Sequence, residues 1–98
     1  MVNKWIQFTV APENSDDFAA ALRILEKESK AEDGCVYYAV YKVDDTEGRF
    51  TVLESWASKE AFEAHRVAPH IADFKENCGK IILEKSALSL TPIAQETT

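Results

Sequence analysis

Apolar residues fall on alternate positions at the start of the chain, where Val2, Ile6, Phe8 and Val10 alternate with Asn3, Gln7 and Thr9. A period of two is that of a strand with one face turned to a core, so residues 2–10 are read as the first strand. Pro12 cannot donate to a ladder, and Ser15, Asp16 and Asp17 supply capping oxygens and negative charge suited to a helix start. The period then lengthens. Phe18, Leu22 and Leu25, with Ala21 beside them, recur at three and four, while Arg23, Glu26, Lys27 and Lys30 fall on the opposite side of an amphipathic helix. Gly34 suits a helix stop, and residues 35–43, rich in β-branched and aromatic side chains, form a second strand. The polar residues from Asp44 to Gly48 have the chemistry of a hairpin loop, so a strand at 49–56 pairs antiparallel with the second. Ser58 caps a second helix on which Ala61, Phe62 and His65 share a face, and Pro69 bends or restarts it before Ile71 and Phe74. Gly79 ends that segment, and residues 80–90 alternate weakly as a fourth strand. The pattern makes residues 1–91 one domain and residues 92–98 a mobile C-terminal tail.

The order strand, helix, strand, strand, helix, strand predicts an α+β, ferredoxin-like βαββαβ fold with a four-stranded antiparallel sheet. Both faces of that sheet are apolar. The second strand carries Val36, Tyr38 and Val40 on one side and Tyr37, Ala39, Tyr41 and Val43 on the other, and the third carries Phe50, Val52 and Trp56 opposite Leu53. Two helices cover only one face, and the other would be an apolar patch larger than monomers expose. A homodimer joined through the sheet face is therefore expected, with a dry pocket between sheet and helices. At 98 residues the chain buries only about 60 to 65% of its unfolded surface, so a second subunit would also stabilise it.

Eleven Lys and Arg against seventeen Asp and Glu give a net charge of −6, which argues against nucleic-acid or anionic-membrane partners and for a small molecule. Cys35 and Cys78 form no disulfide framework and no CxxC pair, which suits a reducing compartment. No apolar run has the length of a membrane span and the first residues do not resemble a signal peptide, so a cytoplasmic protein is expected. There is no GxGxxG, P-loop, GxSxG or zinc pattern, which removes support for nucleotide-dependent and serine-hydrolase chemistry.

Glu54 is the exception in its row, a carboxylate among Phe50, Val52 and Trp56, and such a group must be paired, hydrogen-bonded or protonated. It is a candidate general acid or base, or one partner of a structural pair. Trp56 offers a flat wall for stacking an aromatic ligand, or packs in the core. His65 shares a helix face with Phe62, lies within reach of Glu54, and held by a carboxylate could shuttle a proton near neutral pH. His65 and His70 are spaced H-x4-H, not at the three or four that puts two rings on one helix face, so no metal site is assigned. Tyr37, Tyr38 and Tyr41 place phenols on both sheet faces, and at least one is expected to face the pocket.

The stretch from Val52 through Glu54, Trp56 and His65 to Pro69 and His70, preceded by Gly34, Cys35 and Tyr38, resembles the antibiotic biosynthesis monooxygenase family, whose pattern is E-x-W, then H, then P-H. The resemblance covers about residues 2 to 90 and implies a dimeric α/β barrel. It places Glu54, Trp56 and His65 in catalytic positions and His70, Tyr37, Tyr38, Val52 and Phe62 around the substrate. Val52 stands where polyketide-type oxygenases of the family carry Asn. The implied activity is a cofactor-independent monooxygenase that oxidises a quinol or polyphenol with molecular oxygen as co-substrate. Haem-degrading relatives exist, but no axial ligand is assigned here. The alternatives are an isomerase of a small carbonyl or phosphorylated autoinducer-type compound, with Lys42, Arg49, Arg66 or Lys80 available for a phosphate, and a non-catalytic small-molecule-binding dimer.

Overall fold

The computed structural model describes residues 1–96, in the order β1 (Val2–Val10), α1 (Ser15–Lys30), β2 (Cys35–Lys42), β3 (Arg49–Trp56), α2 (Lys59–Arg66), α3 (Pro69–Cys78), β4 (Ile82–Leu90) and α4 (Ile93–Glu96). Single 3-10 turns at Pro12–Asn14 and Gly79–Ile81 lead into α1 and β4. The strands form one sheet in the order β2-β3-β1-β4, with every neighbouring pair antiparallel. This is the ferredoxin-like α+β arrangement, and the molecule measures 47 × 29 × 18 Å.

Alternation decides which side chains meet the helices. Phe8 and Val10 of β1, Phe50, Val52 and Trp56 of β3, and Tyr38 of β2 are all buried with Phe18, Leu22 and Leu25 of α1. Four phenylalanines interlock beneath α1. Phe18 lies 5.3 Å from Phe8, 5.2 Å from Phe50 and 5.7 Å from Phe74, centroid to centroid, in tilted and edge-on geometries that aromatic quadrupoles favour. The edge of β2 is partly closed by α1 itself, whose Glu26 carboxylate accepts the Val40 N–H at 3.0 Å.

Local chemistry fixes the joints. The Ser58 hydroxyl accepts the Ala61 N–H at 3.0 Å and caps α2, and Pro69 opens α3 from an extended Ala68. Gly34 has φ +83° at the turn into β2, and a Cβ there would stand 2.6 Å from the Ala61 methyl. That close approach seats α2 on the turn containing Glu32.

One strand face and two strand ends differ from the sequence reading. Val36 does not share a face with Tyr38 and Val40: the register shifts between Cys35 and Tyr37, leaving Val36 as the extra residue of a bulge, 54% exposed. The second strand ends at Lys42 rather than Val43, and the fourth begins at Ile82 because Gly79–Ile81 is still turning. In the segment expected to be a tail, Ile93–Glu96 form the single helical turn α4, and positions 97–98 lie outside the described residues.

Among the described residues, no helix packs over the opposite face of the sheet where Trp5, Tyr41 and Leu88 lie. Trp5, Tyr37, Tyr41, Leu88 and Leu90 are 36 to 54% exposed there, and the Tyr37 and Tyr41 hydroxyls hydrogen-bond each other at 2.7 Å. The accessible surface is 6521 Å², whereas a compact monomer of 11.0 kDa exposes about 5,600 Å².

Candidate functional site

Glu54 lies on the helix-covered face of β3, opposite Tyr38 of β2 and Lys4 of β1, and is 4% exposed. Its Oε1 accepts the Trp56 indole N–H at 2.9 Å. Burial pushes the carboxyl above its ordinary value, against the opposing pulls of the Trp56 hydrogen bond, His65 and Lys4. Glu54 therefore keeps its proton to a higher pH than a surface carboxylate does. Burial likewise pushes the Tyr38 phenol well up, with Glu54 adding to the effect, so Tyr38 remains an O–H donor.

His65 extends from α2 onto this group. Its ring stacks on Trp56 at 4.3 Å and 30°, Tyr38 meets it edge-on at 5.7 Å, and its Nε2 stands 3.8 Å from Glu54 Oε1. The other ring nitrogen is held from behind: Nδ1 lies 2.6 Å from Glu32 Oε2. The same oxygen lies 2.7 Å from His70 Nε2. An ionised carboxylate only accepts, so both imidazoles donate to it. This assigns the Nδ1 proton of His65 to the Glu32 side and turns Nε2 toward Glu54. The resulting chain runs from half-buried His70 through Glu32 and His65 to the gap before Glu54 and Trp56.

The ligand atoms of Glu32, His65 and His70 fall within 4.8 Å of one another, the set in the chain that comes nearest to a metal centre among the described residues. Their 2.6 and 2.7 Å separations are hydrogen-bond distances, shorter than the roughly 3 Å or more between ligands spread around an ion with bonds near 2.0–2.1 Å. The cluster is closed as two N–H donors on one carboxylate oxygen.

Glu54 and His65 open onto a cavity of about 500 Å³ between the sheet and α2–α3. Ile6, Phe8, Val52, Phe62, Phe74 and Ile82 give it apolar walls, and Tyr38 also reaches it. Of the residues expected around a substrate, Tyr38, Val52 and Phe62 line this space and the other two do not. Tyr37 lies on the uncovered face beside Tyr41, because adjacent strand residues point to opposite sides. His70 lines a separate groove of about 450 Å³ between α1 and α3. Trp56, expected as a stacking wall, is fully buried and does not line the cavity; it holds Glu54 and His65 in place instead.

Sequence reasoning missed Glu32 and Lys4. Lys4 was detectable, since it interrupts the even-numbered apolar row of the first strand between Val2 and Ile6. Glu32 carried no periodic signal, and only the seating of α2 on its turn brings it to His65.

The fold is a ferredoxin-like α+β domain with a buried acid and histidine at the end of a largely apolar cavity. The profile of the antibiotic biosynthesis monooxygenase family matches residues 1–77, and the chain belongs to that family. It is 24% identical over 89 residues to the Synechocystis protein sll1783, covering 91% of this chain and 60% of that one. The chain thus spans less than two thirds of that relative. It is 26% identical over 84 residues to Rv0793 of Mycobacterium tuberculosis, which bears the provisional name of a monooxygenase, covering 86% of this chain and 82% of that protein. The solved Rv0793 structure superposes with a TM-score of 0.85 over 93% of each chain. A Nitrosomonas europaea structure, provisionally titled an antibiotic biosynthesis monooxygenase, gives a TM-score of 0.89 over 95% of this chain and 99% of that one at 17% identity, a likeness of fold alone.

Proposed function

We propose that the protein is a cofactor-independent monooxygenase that oxidises a quinol or polyphenol with molecular oxygen. The observation that carries this reading is the opposed pair at the cavity: His65, with Nε2 facing inward and Nδ1 backed by Glu32, 3.8 Å from a buried Glu54 whose carboxyl burial pushes above its ordinary value. An imidazole nitrogen and a carboxyl facing each other on one cavity suit removing a proton from one substrate atom and returning one to another.

An electron-rich phenolic substrate SH2 gives one proton to His65 Nε2, and the resulting carbanion contributes an electron pair to O2, forming a C–O bond. The peroxide anion takes a proton from Glu54 or from the imidazolium. Loss of the second C–H proton with cleavage of the O–O bond then releases water and leaves the carbonyl product S=O. The balance is SH2 + O2 → S=O + H2O, with the substrate supplying all the electrons. Glu32 stabilises the imidazolium formed in the first step.

The working unit on this reading is a homodimer joined through the uncovered face bearing Trp5, Tyr41 and Leu88. Light scattering should give twice the chain mass for the native protein and one chain mass for Leu88→Asp. A folded monomer in both would overturn the dimer.

The activity is tested by oxygen uptake with metal-stripped protein over hydroquinones, anthrones and catechols. Saturable uptake that falls about 10²- to 10⁴-fold in His65→Ala is expected. Absence of enzyme-dependent uptake from folded protein, or uptake unchanged in that variant, would overturn the mechanism.

A further inference from the structure

The cavity differs in charge from the chain that encloses it. The protein carries a net charge of −6, yet Lys4, Arg66, Lys75 and Lys85 all line this one space, and its single acidic lining residue is the buried Glu54. Lys4 and Lys85 rise from the covered face of neighbouring strands, paired with Ser89 and Phe8 respectively. Lys75 follows Phe74 on α3, and Arg66 ends α2. The cations therefore converge from both layers of the fold.

Most of that charge is unspent. Arg66 is matched by Glu63 at 3.3 Å, on the surface of α2. Among the described residues Lys4, Lys75 and Lys85 have no carboxylate within 4.0 Å. Lys4 Nζ donates to Ser89 Oγ at 2.5 Å and sits 5.0 Å from the Phe62 ring centre, and Lys85 Nζ lies 5.9 Å from that of Phe8. These contacts hold ammonium groups against apolar walls without neutralising them. Low-dielectric walls ringed by one sign of charge focus potential into the space between them. Of the four cations that the sequence offered for a phosphate, only Arg66 belongs to this set; Lys42, Arg49 and Lys80 do not line the cavity.

We propose that the cavity selects an amphipathic anion, a planar apolar body lying along Phe62, Val52 and Phe74 with a carboxylate or phosphate group at the lysine-lined rim. The proposal names the substrate class for the cavity described above and rests on that cavity being the substrate site. An anionic group held by Lys75 and Lys85 would orient the opposite, reacting end of the molecule toward His65 and Glu54.

Binding tests this without turnover, so a protein that consumes no oxygen can still support it. Isothermal titration would compare 2-naphthoate, 2-naphthyl phosphate and the neutral 2-naphthamide at low and high salt, on the native chain and on the exposed-lysine variant Lys75→Gln/Lys85→Gln. At least one anion should bind about tenfold or more tightly than the amide, a difference of about 1.4 kcal/mol. High salt and the double variant should each compress that ratio toward one while leaving the amide's affinity unchanged. Which anion binds more tightly identifies the anionic group. Equal affinities for all three probes, no binding of any of them, or a preference that survives the double variant would overturn the proposal.

Discussion

The two halves of the helix-covered face are built from the same strands and finished differently. Under α1 the sheet is packed solid, with Phe18 fully buried among Phe8, Phe50 and Phe74. Toward α2 and α3 the same strand rows run into Glu54, Lys4 and His65, and a cavity of about 500 Å³ remains. The difference follows from the length and continuity of the covering helices. The 16 residues of α1 present an unbroken apolar stripe, whereas α2 has eight residues and Pro69 restarts the chain as α3. Short, reoriented helices cannot fill the space, and the polar side chains that would be intolerable in a packed core are satisfied there by one another. One half is a packed core and the other leaves a cavity.

The sharpest way to break that contrast is to truncate one ring in each half. Phe18→Ala should cost about 3–5 kcal/mol, because a fully enclosed ring leaves a cavity that its neighbours cannot close. Phe62→Ala removes a half-buried ring from a wall that already borders open space, and should cost about 1 kcal/mol or less. Urea unfolding of both variants measures the two values. Equal losses would mean that the second half is as tightly supported as the first.

Next in size is the effect of Glu32. Glu32→Ala removes the acceptor that holds the Nδ1 proton of His65, and should lower any oxygenase rate by about 10²-fold while leaving the fold intact. Glu32→Gln keeps a carbonyl oxygen in place and should retain the Nδ1–H form. Nitrogen-15 spectra of the imidazole rings separate positioning from mere support: the native chain and Glu32→Gln should show the Nδ1–H tautomer at His65, and Glu32→Ala should lose it. An Nε2–H tautomer in the native protein would remove the basis for assigning His65 as the base.

The same contrast explains what the sequence did and did not disclose. The packed half was legible because periodicity reports burial directly: the spacing of Phe18, Leu22 and Leu25 and the alternation through Phe50, Val52 and Trp56 survive intact in the fold. Glu54 and His65 were legible as breaks in those same patterns. Glu32 was not, since its contact with His65 spans 33 residues and depends on how closely α2 approaches Gly34. The bulge at Val36 was equally invisible, because the local residues alternate acceptably in either register. Trp56 was visible as a buried aromatic, but strand pattern alone does not separate a residue that walls a cavity from one that braces its walls.

The smallest effect expected is a pH dependence of stability centred on Glu54. Its carboxyl is raised in the fold from a value of 4.5, chiefly by burial. Well below that value both folded and unfolded chains hold the proton, and the favourable contribution of the neutral group is fully present. As pH rises past 4.5 the unfolded chain releases its proton first, the folded chain binds more protons than the unfolded one, and stability falls until the raised pKa is passed. Glu54→Gln preserves an oxygen to accept the Trp56 N–H and has nothing to titrate. The variant's stability minus that of the native chain should therefore grow on going from about pH 4 to pH 7.5, because the native chain loses stability over the interval between the unfolded and the raised folded value while the variant has nothing to titrate. Urea unfolding at the two pH values checks it. A difference that stayed flat or shrank would mean that Lys4 and His65 hold Glu54 as a carboxylate, and the roles of proton donor and acceptor at the cavity would have to be exchanged.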